Sequence, residues 1–453
     1  MEVEIISREN LKPSSPTPNH LRTYKLCLFD QLASPVYIPI TLFYSARNEN
    51  PGKKTGHLKE SLSKILTHYY PFAGRLAGDG LTVDCNDDGA VFIEARVSCE
   101  MSFVVDEPDN EVLLRLLPFS PYRRHDPARS SADEDLVMLG VQVNYFACGG
   151  VAIGFCISHV AADGAAAAGF VETWSRFARG SASAADGVVY DCGSRFPPRD
   201  LSDFLRAMDP VDEKIYVPLP KEEVIPNRFR FEGCKITALR NEIRDDSRRY
   251  SPSRVEAVTA LIWEALIAAT TTSSQPPTLV IANAVNLRQR MNPPLPQQCI
   301  GNVCFLSMVS SLDEKTKNRN RLAKRIRQTI NEIDDECKRE IAYMGTGEWL
   351  DDLAGKVCGE FEKDPNMGVF YFVSWCRFPF YEADFGWGKP TWVEGGLKTN
   401  RTAIFVDSSD GEGIEAWISL NREEMGKFEQ QHGILSYSTF KPSVSKNLQR
   451  LDH

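Results

Sequence analysis

The stretch Val151–Gly180, VAIGFCISHVAADGAAAAGFVETWSRFARG, constrains the fold more than any other part of the chain. Val151, Ile153, Phe155 and Ile157 alternate with small residues, the period of a strand with one buried face, while Phe170, Trp174 and Phe177 recur at helical spacing. A strand therefore enters a helix through the short joint His159-Val-Ala-Ala-Asp163-Gly164. A histidine leaving a hydrophobic strand is held rigidly and can still face a cleft, as a general base must. Taken alone, the joint reads equally as a strand-end histidine with a satisfied hydrogen bond, followed by an aspartate that caps the helix. His-x-x-x-Asp also recurs by chance, so other residues must decide.

At 453 residues the chain is too long for one ordinary core, and two domains sharing an extensive interface are expected. A net charge of −9 argues against nucleic acid or an anionic membrane as the main partner, since both attract basic surfaces. MEVEIISREN lacks a basic segment followed by an apolar one, and no apolar run approaches membrane-spanning length. The twelve cysteines are scattered, with no Cys-x-x-Cys and no paired Cys/His ligand spacing. That distribution predicts reduced thiols, no metal site and a cytoplasmic protein.

Along the chain, Tyr37–Tyr44 reads as a strand, and Leu58, Leu62, Ile65, Leu66 and Tyr69 follow helical spacing up to Pro71. Leu81–Asp84 and Ala90–Ile93 read as a hairpin about Asn86-Asp87-Asp88-Gly89, and Leu136–Tyr145 as another strand. Periodicity fades from Ser181 to Pro226, where Gly, Pro, Ser and Asp accumulate around a short helix over Asp200–Met208. Phe229–Leu239 reads as a strand. Ser253-Arg254-Val255-Glu256 fits a capping box that opens a helix, and a helix N-terminus beside an arginine can also hold a phosphate. Leu279–Val285 reads as a strand, Leu322 to Ile341 as an amphipathic helix, Val369–Cys376 as a strand, and Ala403–Asp407 with Ile414–Leu420 as a hairpin. Mixed strands and helices in both halves predict an α/β or α+β protein with domains over 1–190 and 226–453, joined by a linker over 191–225.

The chain has no G-x-S-x-G elbow, no G-x-x-x-x-G-K-[ST] loop and no G-x-G-x-x-G fingerprint. Serine hydrolase, nucleotide kinase and Rossmann dehydrogenase are therefore demoted. Chemistry that one base can run on a bound pair of substrates survives.

His159-x-x-x-Asp163-Gly and Asp384-Phe-Gly-Trp-Gly388, in that order and at that separation, are similar to the two signatures of the BAHD family of plant acyl-CoA-dependent acyltransferases. Tyr70-Pro-Phe-Ala-Gly-Arg75, Val285-Asn-Leu-Arg288, Gly301-Asn302 and Ser374-Trp-Cys-Arg377 also resemble family segments, nearest the vinorine synthase-like acetyltransferase subgroup. The resemblance implies an α/β fold of two similar-sized domains, each of mixed sheet plus helices, with a channel at their interface. Acyl-CoA would enter from one face and an acceptor alcohol from the other. It implies His159 as the general base that takes the hydroxyl proton as the oxygen attacks the thioester, with no acyl-enzyme.

By the same resemblance Asp384 belongs with the active site while shaping the CoA channel, Asp163 pairs with Arg288, and Trp375 donates to the oxyanion. Ser253 and Arg254 would lie near the nucleotide end of CoA. Acetyl-CoA would be a co-substrate, with no permanently bound cofactor and no metal, and the protein would act as a monomer. The implied acceptor is a bulky plant alcohol, an alkaloid or a terpenoid, including limonoid-type triterpenoids. Two alternatives stand beside this: a silent relative that only binds a ligand, and an acyltransferase using an amine acceptor or an aromatic acyl-CoA.

Overall fold

The strand Val151–Ser158 is buried on both faces, where its alternation suggests one. The reason lies in its small residues: a Cβ on Gly154 would stand 2.2 Å from the Leu116 carbonyl oxygen, so the chain around residues 113–117 lies directly on that face. Ala152 and Cys156 pack against the same segment, and Ile153, Phe155 and Ile157 pack on the other side against the helix Gly164–Ala178 through Phe170 and Trp174.

The computed structural model describes residues 1–46, 51–123, 137–181, 187–190, 192–204, 206, 223–244, 250–270, 279–310, 318–339, 348–349, 351–352, 355, 358–359, 364, 367–396 and 398–441. With strands numbered along the chain, the first sheet has six strands. Their order is β1 (Val3–Leu11), β6 (Ala90–Val97), β7 (Leu139–Phe146), β8 (Val151–Ser158), β3 (Tyr37–Tyr44) and β13 (Trp392–Glu394). A small sheet of β2 (Thr23–Lys25), β5 (Thr82–Asp84) and β4 (Arg75–Leu76) lies beside it in sequence. The second large sheet runs β11 (Cys304–Ser310), β10 (Leu279–Asn286), β12 (Gly368–Ser374), β14 (Thr402–Asp407), β15 (Ile414–Asn421), β9 (Val224–Phe231) and β16 (Thr439–Phe440). Its core is closed by the helix Arg254–Thr270, with Val258 and Ile262 meeting Leu322 and Ile326 of the helix Arg319–Arg339.

Three expectations need correction. The turn at residues 86–89 does have the backbone its residues favour, with positive φ at Asp87 and Gly89, but it joins two different sheets and not a hairpin. β5 pairs with β2 and β4, while β6 pairs with β1 and β7; Asp87 is fixed instead by Thr17, whose hydroxyl and N–H donate to its carboxylate, and by Arg22. The strand expected over Phe229–Leu239 ends at Phe231, and Gly233–Ile243 is a helix burying Ile236, Leu239 and Ile243 at helical spacing. The expected linker 191–225 runs into the second large sheet, whose β9 already begins at Val224, and the second half lends Trp392–Glu394 back to the first sheet, antiparallel to Thr41–Phe43. Leu136, Ile341 and most of the 191–225 linker, including Met208, lie outside the described residues; Ser202–Phe204 is helical.

This loan buries Glu394, which is 3% exposed. Burial pushes its carboxyl up to about 8, although the Gly396 N–H and Arg228 pull the other way. Between the ordinary carboxylate value and that one, the folded state holds a proton that the unfolded chain releases, so stability declines as pH rises. Glu394→Gln, neutral at every pH, is expected to flatten this decline by about 2–4 kcal/mol between pH 5 and pH 8. Urea unfolding of parent and variant at both pH values measures it, and parallel pH dependences would refute it.

Candidate active site

β8 delivers His159 to the boundary between the two halves. The Ser158 N–H donates to the Met138 carbonyl at 2.9 Å and the His159 N–H to the Val36 carbonyl at 2.9 Å, so the strand's exit is fixed by the backbone. His159 itself is half-buried and keeps a solvent-reachable part, while its Nδ1 is enclosed without a hydrogen-bond partner. Its carbonyl oxygen accepts from the Asn302 Nδ2 at 2.7 Å. Asn302 in turn is held by Asp30, whose Oδ1 accepts from the Asn302 N–H at 2.6 Å and from Nδ2 at 2.9 Å. The other oxygen of Asp30 accepts from the Cys27 N–H at 2.7 Å. Burial pushes the Asp30 carboxyl up, against the pull of these donors.

Asp163 caps the helix Gly164–Ala178, its Oδ1 accepting from the Ala166 N–H at 2.9 Å. Its Oδ2 faces the other half and accepts from Arg288 Nη1 at 2.7 Å and from the Val303 N–H at 2.9 Å. Arg288 is fully buried, and its Nη2 donates to the Cys299 and Gly301 carbonyls at 3.1 and 2.9 Å. Burial alone would raise the Asp163 carboxyl, but the Arg288 charge and the converging donors hold it below the usual range. The loop 299–303 thus clasps the joint that carries His159: the Gly301 N–H also donates to the Ala161 carbonyl at 3.0 Å, and Ala162 and Gly301 form a parallel bridge. Gly301 has φ +104°, and a Cβ there would press on Asp30 and the Tyr24 hydroxyl at 3.4 Å.

Trp375 follows β12 and is buried between the halves. A Cβ on Gly164 would lie 2.5 Å from its indole nitrogen, and one on Gly395 would lie 2.0 Å from the far edge of its ring. The two glycines form the slot that brings the indole N–H beside the start of the helix Gly164–Ala178, adjacent to Asp163. Asp384 lies elsewhere in the site's surroundings. Its Oδ1 accepts from the Gly386 and Gly388 N–H groups, both at 2.8 Å, and its Oδ2 is 3.6 Å from Arg179 at the end of that helix. The carboxylate ties the Gly386–Gly388 loop into a turn, and Phe385 and Trp387 enter the core of the first half. Ser253 and Glu256 form the reciprocal capping box, the Glu256 N–H donating to Ser253 Oγ at 3.1 Å and the Ser253 N–H to Glu256 Oε2 at 2.7 Å. Arg254 donates to Asp407 and to the Gly411 and Glu412 carbonyls at 2.7–2.8 Å, remote in sequence from the His159 joint.

The structure therefore brings His159, Asp163, Arg288 and Trp375 together and sets Asp384 in a separate turn and Ser253 and Arg254 at the start of the helix Arg254–Thr270. Asp30 and Asn302 join the first group, and sequence reasoning assigned them no part. The available signal was a single acid among Leu26, Leu28 and Phe29, in a stretch otherwise reading as core. Among the described residues no group of His, Cys, Asp and Glu is placed to hold a metal ion, and no helix is long and apolar enough to cross a membrane.

A comparison with family models matches residues 1–434 to the Transferase family. The chain belongs to this BAHD family. BAHD relatives span almost its whole length: a limonoid 21-O-acetyltransferase of Citrus sinensis is 43% identical over 450 residues, covering 98% of this chain and 100% of that protein. Stemmadenine O-acetyltransferase of Catharanthus roseus is 36% identical over 433 residues, covering 94% and 95%. The crystal structure of vinorine synthase is similar with a TM-score of 0.79 at 34% identity, covering 96% of this chain and 98% of that one. Membership of the BAHD family makes the chain an acyltransferase with the family's two-domain fold of mixed sheets and helices.

Proposed function

We propose that the protein transfers an acetyl group from acetyl-CoA to a hydroxyl of a plant specialised metabolite, an alkaloid or a terpenoid such as a limonoid alcohol. The observation that carries this is the half-buried imidazole of His159, held by backbone on one half of the molecule and clasped by a loop from the other. A neutral imidazole accepts a proton on a ring nitrogen, so it can take the acceptor's proton as the hydroxyl oxygen attacks the thioester carbonyl. The tetrahedral intermediate then collapses, the C–S bond breaks, and the thiolate of CoA recovers that proton from the imidazolium. No covalent bond to the enzyme forms. The Trp375 indole N–H, set beside Gly164, is our candidate donor to the oxyanion.

Asp163, Arg288 and Asp384 act here as positioning residues, the first two fixing the His159 joint and the third the loop at Gly386–Gly388. The nucleotide end of CoA is proposed to lie at the helix start formed by Ser253 and Arg254, where a phosphate would compete with Asp407 for the guanidinium. Both halves of the site come from one chain, which supports a monomer, and the scattered cysteines support a cytoplasmic setting.

The purified protein incubated with acetyl-CoA and a panel of limonoid and alkaloid alcohols is expected to release free CoA and form an acetyl ester. Turnover restricted to amines, or to aromatic or long-chain acyl-CoA, would overturn the reading. Thermal stabilisation by acetyl-CoA without turnover on any acceptor would overturn it as well, in favour of a silent binder.

A further inference from the structure

Behind the clasp, Cys192 and Cys299 place their sulfurs 2.8 Å apart, closer than two sulfurs sit in ordinary contact, and both residues are fully buried. They are separated by 107 positions and belong to different parts of the fold. Cys192 opens the short helical turn Cys192–Arg195 in the connection between the halves, and the Phe196 carbonyl that follows accepts from the Leu28 N–H at 2.9 Å. Cys299 begins the 299–303 loop: its carbonyl accepts from Arg288, and the Ile300 N–H donates to the Val189 carbonyl at 3.0 Å. We propose that Cys192 and Cys299 are a redox-modification site, a dithiol that closes to a disulfide under a hydroperoxide oxidant and staples the inter-domain connection to the loop that clasps His159.

Closing from the observed separation to a bond of about 2.05 Å needs a movement of under about 1 Å, which the two short segments can supply without leaving their hydrogen bonds. The local charges assign the roles. The Arg288 guanidinium, whose Nη2 donates to the Cys299 carbonyl at 3.1 Å, puts a positive charge beside Cys299 and favours its thiolate, so Cys299 is the attacking sulfur and Cys192 the resolving one. The Cys299 thiolate attacks one peroxide oxygen, the O–O bond breaks, and hydroxide leaves as sulfenic acid forms. Cys192 sulfur then attacks that sulfur and the S–O bond breaks, releasing water. In sum two thiols lose two protons and two electrons, and hydrogen peroxide becomes two waters. In a reducing compartment the pair is a dithiol, and the bond forms as a response to oxidant.

The test treats the full-length protein with hydrogen peroxide, blocks free thiols with iodoacetamide and maps the unreduced digest by mass spectrometry. A linked peptide pair containing Cys192 and Cys299 is expected, together with a Tm rise of about 3–6 °C that dithiothreitol reverses. Cys192→Ser should show neither. Separate alkylation of Cys192 and Cys299 after peroxide treatment of the unmutated protein would overturn the proposal, and that readout stands even if the variant does not fold. A linked pair with no change in Tm would overturn the staple, as would an equal Tm rise in Cys192→Ser.

Discussion

His159→Ala is expected to lower turnover about 10²–10⁴-fold, the range that a positioned general base contributes, while changing stability by less than about 1 kcal/mol. The structure explains why the two effects separate. The hydrogen bonds that fix residue 159 use its N–H and its carbonyl, to Val36 and from Asn302, and alanine keeps both. The side chain's Nδ1 has no partner to abandon, so truncation strands no buried donor or acceptor. Free-CoA release on the best acceptor from the panel, set beside melting curves, measures the pair of outcomes. Turnover within threefold of the parent would remove His159 from the chemistry.

Asp163→Ala is expected to cost about 3–5 kcal/mol of stability and to lower turnover as well. Its carboxylate accepts from Ala166, Val303 and Arg288 together, and its loss leaves a fully buried guanidinium without its counter-charge. The helix cap is lost in the same change, at about 1 kcal/mol. Because the Asp163 carboxyl is held below its unfolded value, its contribution is fully present above about pH 4 and is lost as pH falls through the folded value. Asp163→Asn, which can still accept from Ala166 or Val303 but carries no charge, should fall between parent and alanine and lose this part of the acid sensitivity. Coincident melting curves for Asp163→Ala and His159→Ala would contradict the clasp.

Elements with a strong local period were legible in the sequence. Tyr37–Tyr44 is the strand it reads as, with the same boundaries, the β14–β15 hairpin forms, and the capping box at Ser253 and Glu256 is made in both directions. Elements that depend on distant partners were not. Val3–Leu11 is a strand because β6 accepts it; most of its side chains remain exposed, so no apolar alternation announces it. The Asn86–Gly89 turn is chemically a turn, yet which strands flank it is decided by β1 and β2, whose pairing no local pattern encodes. The same limit governs the site. The pairing of Asp163 with Arg288 is legible through family resemblance, whereas that of Asp30 with Asn302, 272 positions apart, is visible only in the folded structure.

The short strand Trp392–Glu394 also sets how this enzyme can be recombined. A chimaera spliced between residues 190 and 226 would edge the first sheet with a foreign segment, against which Phe43 must still stack its ring on a tryptophan at 392. A chimaera that keeps the first sheet intact must therefore carry residues 392–394 with the N-terminal donor, because heredity along the chain and neighbourhood in space diverge there.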